Sequence, residues 1–309
     1  MHDQPSLFAK LPIEIVQDIF EFAAWSDKRT ATTLDCVSRT VHGWMTRPIY
    51  EEVILHNPSS LLTFAEVIRQ APPVPHSPES PSPLEHIPEL HAPALSIARN
   101  LAFFRDTVKY LSVMHVSIPF HHVRHIFIVC AGVRVLEIDN PSLPFPPTAM
   151  QPSELILSGI KLDMFVDQMF RNITRLWFSS PSAITRIVEY PPQLEYIAIP
   201  LRVTSGGGYR RTYVEDEARL YTVMALPTVE LIIINILKHY TYLTTRPQVW
   251  IPPRAEDVWR DVLYQIQDSR LLVRVPEELA KEPDLARNRG MSVWDLAISD
   301  GMRHPGFKL

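Results

Sequence analysis

Apolar residues recur along this chain with two periods, helical near the start and strand-like beyond it. From Leu11 onward, Ile15, Ile19, Phe22 and Ala23 fall at helical spacing, and Val16 and Phe20 widen the stripe. Pro12 sits at the first helical turn, where its missing N–H costs nothing. The stretch "SDKRT" breaks the pattern, and "ATTLDCVSRTVHGWM" resumes it with Leu34, Val37, Val41 and Trp44 on one face. Pro48 is expected to end this second helix. Two short helices cannot bury all of this apolar surface on each other, so a greasy face is left over for a partner.

Past residue 50 the pattern changes to apolar-x-x-apolar-x-apolar. Tyr50, Val53 and Leu55 begin it, and Val123, Ile126 and Ile128 repeat it, as do Val133, Leu136 and Ile138. Leu155 and Leu157 form a shortened copy led by Pro152. Ile173, Leu176 and Phe178 follow, then Leu194, Ile197 and Ile199, then Val229, Ile232 and Ile234. Alternation within each copy predicts a short strand with one face buried. The centres Leu136, Leu155, Leu176 and Ile197 lie roughly twenty residues apart, within the spacing of leucine-rich repeats. Helix-like segments, "KLDMFVDQMF" and "SAITRIVEY", come between them. The expected fold class is α/β: a helical hairpin over residues 1–49, then an irregular repeat solenoid over 50–309 whose parallel sheet lines one side. An ordinary α/β sheet with similar strands is the alternative. Toward the end, "RPQVWIPPRAEDVWRDVLYQIQDSRLLVRVPEE" reads as strand, helix, strand, with Val258, Trp259, Val262 and Ile266 on the helix. "SVWDLAISDGM" reads as a serine-capped amphipathic helix, and residues from about 245 to 309 are expected to cover the last repeat.

Composition adjusts this picture in a few places. A length of 309 residues is enough for a sizeable core, and a net charge of -4 supplies no basic field for nucleic acid. The longest greasy run, near "VELIIINIL", is about half a membrane span, and no basic-then-apolar leader precedes Leu11. No membrane partner is expected, and Asn172-Ile173-Thr174 is a coincidental glycosylation match. A cytoplasmic or nuclear location is expected. Cys36 and Cys130 stand alone among apolar neighbours and are expected to be buried free thiols. Prolines crowd into residues 71–93, "APPVPHSPESPSPLEHIPELHAP", which reads as an extended, solvated insertion. Within it Ser77, Ser80 and Ser82 each precede a proline, so phosphorylation there is conceivable. The stretch "RVTSGGGYRRTYVEDEA" reads as a flexible surface loop, because no Lys-Ser/Thr follows its glycines to cradle a phosphate.

The segment "LPIEIVQDIF…LDCVSRTVHGWM" resembles an F-box, a helical module of about fifty residues that docks on the small adaptor of cullin–RING ubiquitin ligases. The matching positions are Leu11-Pro12, Glu14-Ile15, Ile19-Phe20, Leu34, Val37-Ser38-Arg39 and Trp44. The resemblance implies adaptor contacts from Leu11, Pro12, Ile15, Ile19, Phe20, Val37, Arg39 and Trp44. Box, irregular repeats and Trp-bearing tail together are similar to the F-box proteins of mushroom-forming fungi. That resemblance implies a non-catalytic, substrate-recruiting adaptor of an SCF-type ligase, with the solenoid holding an unknown target protein for ubiquitin-dependent degradation. The target is expected on the concave side or rim, with the loop 204–217 taking part through Tyr209, Arg210, Arg211 and Tyr213. These are residue types enriched at the energetic centres of interfaces. A scaffold whose box serves no ligase is the second reading, and an unrecognised enzyme the third.

Enzymatic chemistry has little to stand on. "HHVRH" places His121 and His125 four apart with His122 between, but on the expected strand those two would lie about 13 Å apart, too far to share a metal. No Cys-x-x-Cys, Gly-x-Ser-x-Gly or Gly-x-Gly-x-x-Gly occurs. Glu215, Asp216 and Glu217 diverge if helical and read as a solvated helix start. No catalytic residue, metal or cofactor is therefore expected, although site residues can converge from distant positions.

Overall fold

A computed structural model describes residues 11–70, 102–114, 120–138, 150–158, 170–179, 190–202, 218, 220–237, 266, 268–274, 279–288, 291–300 and 302–303. The insertion 71–93, the loop 204–217 and the expected helices of 161–169, 181–189 and 256–265 lie outside them. The chain forms two compact units, residues 1–112 with 117–133, and residues 113–116 with 134–309.

The first unit opens with three helices rather than two: α1 (Ile13–Ser26), α2 (Lys28–Asp35) and α3 (Arg39–Tyr50). The expected single second helix starts earlier than its apolar pattern and is split by a cap inside it. Asp27 accepts from the backbone of Arg29 and Thr30 at 3.2 and 3.1 Å, which begins α2 within the "SDKRT" stretch. Those bonds hold its carboxyl below the usual range. Ser38 accepts from Val41 N at 3.2 Å and begins α3. Pro48 does not end α3 but sits inside it, two residues before its end, and its carbonyl takes a bond from the Lys28 ammonium. Ala24, Ala31, Val41 and Met45 form the bundle's core, with Phe20, Leu34, Trp44 and Ile49 packed against it.

Strand β1 (Glu52–Leu55) follows, burying Val53 and Leu55 as its alternation predicts, then helix α4 (Pro58–Gln70). The neighbouring strand β2 (Tyr110–Val113) was not anticipated from the sequence. The copy Val123-Ile126-Ile128 is not a strand. Phe120–Val129 is a helix that buries Val123, Ile126, Phe127 and Val129, with Cys130 buried just past its end, while Ile128 is exposed. Every x in this copy is a histidine, arginine or phenylalanine, so a helical reading fits it as well, and length decides for the helix. Gly132, just beyond, has no room for a side chain, because a Cβ would lie 1.9 Å from the Arg105 carbonyl oxygen.

The second unit is a stack of strands in chain order: β3 (Val135–Ile138), β4 (Glu154–Leu157), β5 (Arg175–Phe178), β6 (Tyr196–Arg202), β7 (Leu231–Leu237), β8 (Leu271–Arg274) and β9 (Met302–Arg303). Strands β3 to β8 are parallel and β9 is antiparallel. Leu136 pairs with Leu155, which pairs with Leu176, then Ile197, Ile232 and Leu271, so pattern-equivalent residues stand side by side. The strand entries repeat as well. The Arg134 carbonyl accepts from the N–H groups of Ser153 and Glu154, both at 3.0 Å, and that of Ser153 from Thr174 and Arg175 at 2.9 and 3.1 Å. Thr174 receives Glu195 and Tyr196 at 2.8 and 2.9 Å, and Glu195 receives Glu230 and Leu231 at 2.7 and 3.2 Å. Side chains follow the same step: Ser158 meets Ser179 at 2.6 Å and Asn172 meets Gln151 at 2.6 Å.

The expectation of one buried strand face is corrected. Leu136, Leu155, Leu176, Ile197 and Ile232 are buried, and so are the residues between the pattern positions, Glu137, Ile156, Trp177, Ala198 and Ile233. Both faces are covered, which suits parallel strands reading as near-continuous apolar runs such as "RLWF" and "LIIINIL". At the turn into β8 a single guanidinium ties that turn to the stretch 224–229. Arg270 binds Asp268 at 2.6 Å and donates to the carbonyls of Met224, Leu226 and Val229 at 2.7, 3.2 and 3.0 Å.

Candidate functional site

Two surfaces merit attention, one in each unit. In the first unit α1 is apolar on both sides. Phe20 and Ala24 turn inward, where Phe20 meets Trp44 edge-on with ring centroids 6.1 Å apart. Ile15 and Ile19 turn outward and stand 46% and 43% exposed, with Phe22 at 80%. Leu11, Ile13, Trp25 and Val37 are exposed as well. A solvated helix face normally carries charged or polar residues, so this run of large apolar side chains is a surface awaiting cover.

The structure therefore divides the adaptor-contact residues expected from the sequence. Leu11, Pro12, Ile15, Ile19, Val37 and Arg39 are exposed. Phe20 and Trp44 are half-buried and hold α1 against α3. Phe22, Ile13 and Trp25 were missed as surface residues, although Phe22 follows Ile15 and Ile19 on the same stripe. The residues expected to grip a target, Tyr209, Arg210, Arg211 and Tyr213, lie outside the described residues, as do Glu215, Asp216 and Glu217.

Cys36 is corrected from buried to exposed: it caps the end of α2, in the break between helices, rather than lying inside one continuous helix. Cys130 is buried as expected, and burial pushes its thiol up to about 12, which leaves it without nucleophilic character near neutral pH. The strand argument against a metal at "HHVRH" falls, since His121 and His125 sit one turn apart on a helix. Among the described residues, no group of three His, Cys, Asp or Glu could hold a metal ion. No described helix is long and apolar enough to cross a membrane.

In the second unit the residues between the pattern positions build the other surface. Across β4, β5 and β6, Glu154, Arg175 and Tyr196 are register neighbours. Arg175 lies 3.4 Å from the Glu154 carboxylate, and its guanidinium carbon stands 4.9 Å from the Tyr196 ring centre. One step along the strands is Trp177, fully buried under Trp294 of the Val293–Asp300 helix, with ring centroids 5.4 Å apart and planes near perpendicular. Trp294 also meets Tyr196 at 6.0 Å. The segment expected to cap the last repeat thus touches β8 but reaches past it to β5 and β6. Burial, first, then the nearby Asp295 charge, push the Glu154 carboxyl up; Arg175, Arg134 and a hydrogen bond from Trp294 pull it down. Among the described residues, the Trp177 indole N–H has no hydrogen-bond partner. Further along this face, Arg274 and Glu282 form a buried ion pair beside Asn235, whose amide also finds no partner among the described residues.

Compared with known proteins, the chain matches no family model, no curated protein and no solved structure.

Proposed function

We propose that this chain is a substrate-recruiting adaptor of a cullin–RING ubiquitin ligase. Residues 1–49 act as an F-box, and residues 50–309 act as an irregular leucine-rich-repeat-like solenoid that holds the target protein. The chain supplies proximity, and partner enzymes supply the chemistry, so it needs no cofactor or catalytic residue of its own. Leu11, Pro12, Ile15, Ile19, Val37 and Arg39 contact the small adaptor, while Phe20 and Trp44 fix the angle between α1 and α3 that presents them. The loop 204–217 contributes Tyr209, Arg210, Arg211 and Tyr213 to the target.

The observation that carries this reading is the two-sided apolar character of α1. Its inner side closes a core of its own, and its outer side keeps Ile15, Ile19 and Phe22 in solvent. Exposing such side chains has no structural benefit, and a partner that covers them gains their burial. The repeating register of β3 to β6, with equivalent residues about twenty apart, supports the solenoid part.

Co-purification from cells tests the proposal. Capture of both the small adaptor and a cullin is the expected result, and a Leu11→Ala, Pro12→Ala variant that stays folded should lose both. Adaptor without cullin would replace the ligase reading by that of a scaffold, and capture of neither would overturn it.

A further inference from the structure

The Trp177 face of the second unit already carries an occupant, a helix of the same chain. That helix carries its own cap. Ser292 Oγ accepts from Asp295 N at 3.1 Å and meets the Asp295 carboxylate at 2.7 Å, a reciprocal cap at its start. It buries Val293, Trp294, Leu296 and Ala297 and leaves Ile298 exposed, the pattern of an amphipathic helix laid on a surface.

The fit is incomplete in one place. Trp294 seals the Trp177 indole from water without any acceptor among the described residues reaching its N–H. A helix optimised only as permanent core would be expected to satisfy that donor. We propose that Glu154, Arg175, Trp177 and Tyr196 form a recognition surface for a short aromatic-bearing helix, and that Val293–Asp300 is its resident, exchangeable ligand. The partner is an amphipathic helix or peptide of a target protein. It places an aromatic ring where Trp294 sits and offers an acceptor to the Trp177 N–H. Such a partner displaces the resident helix in proportion to the difference in affinity between them. This rests on the reading of the second unit as the target-holding part, and does not depend on what the first unit binds.

The test uses the full chain and a fluorescent peptide with the sequence of residues 290–303. The peptide should bind a Trp294→Ala chain at least ten-fold more tightly than the wild type, whose surface is filled. Adding Trp177→Ala should abolish that gain. Equal binding to the wild-type and Trp294→Ala chains, or none to either, would overturn the proposal. Should Trp294→Ala fail to fold, hydrogen exchange on the wild type decides. The amides of Leu296–Ser299 should exchange at least ten-fold faster than those of Leu176–Phe178, by opening of the helix alone. Equal protection would overturn the proposal by showing that the helix leaves only on global unfolding. Adaptor capture through residues 11–39 should be unchanged by Trp294→Ala, so failure here would leave the ligase reading standing.

Discussion

The α1–α3 bundle leaves Phe22 80% exposed, whereas the β3–β8 stack buries even Glu137, Asn235, Arg274 and Glu282. The bundle is closed by four small or flexible core residues with partly buried neighbours, and its remaining apolar surface stays outside. The stack covers both strand faces and encloses charges to do so. Apolar surface in the bundle is therefore dispensable for its own fold, while polar groups in the stack are indispensable once buried. A side chain's contribution to stability follows from its surroundings rather than its polarity.

Substitutions can break this comparison, and the largest effect is expected where a charge is enclosed. Glu282→Ala leaves the Arg274 guanidinium uncompensated in the interior and should cost about 3–5 kcal/mol of unfolding free energy, read by denaturant titration. In the bundle, Met45→Ala opens the core and should cost about 2–5 kcal/mol, because Met45 is fully enclosed. Ser38→Ala removes the start of α3 and should cost about 1 kcal/mol, with helicity lost over residues 39–50 by hydrogen exchange. Phe22→Ser, although it removes a larger apolar side chain than Met45→Ala, should change stability by no more than about 0.5 kcal/mol.

The pH dependence sharpens the same contrast. The folded-state pKa of Glu154 is raised, chiefly by burial, so the folded chain holds this proton more tightly than the unfolded one. Its contribution is fully present below the unfolded value near 4.5 and is lost as pH rises through the raised folded value. Glu154→Gln should flatten that part of the stability profile and raise stability near neutral pH relative to the wild type. A profile unchanged by the substitution would show that Arg175 compensates the buried charge in full.

Much of this was legible in the sequence where a pattern had one meaning. The strands β3 to β7 stand where the apolar repeat places them, because apolar-x-apolar flanked by turns has few other uses. The exposed stripe of α1 was legible because its apolar positions exceed what one helix face can bury. "FHHVRHIFIV" was misread because its apolar residues fit both a strand and a helix, and only packing decides between them. The break at Cys36–Ser38 was missed because Ser38 acts as a cap, a role set by side-chain bonds rather than periodicity. The cover over Trp177 was also missed. Its signal was present: Ile156, Trp177 and Ile233 are too large and apolar for a solvated strand face. Nothing in the sequence said that Trp294, more than one hundred residues away, would supply that cover.

The most direct test of the account is the equilibrium affinity of the small cullin adaptor for the full chain carrying Ile15→Ser and Ile19→Ser, measured beside unfolding free energy. The account predicts binding weaker by about 30-fold or more, the equivalent of about 2 kcal/mol, with stability within about 0.5 kcal/mol of the wild type. Unchanged affinity, or a stability loss as large as that of Met45→Ala, would contradict it by making the outer side of α1 part of the chain's own core.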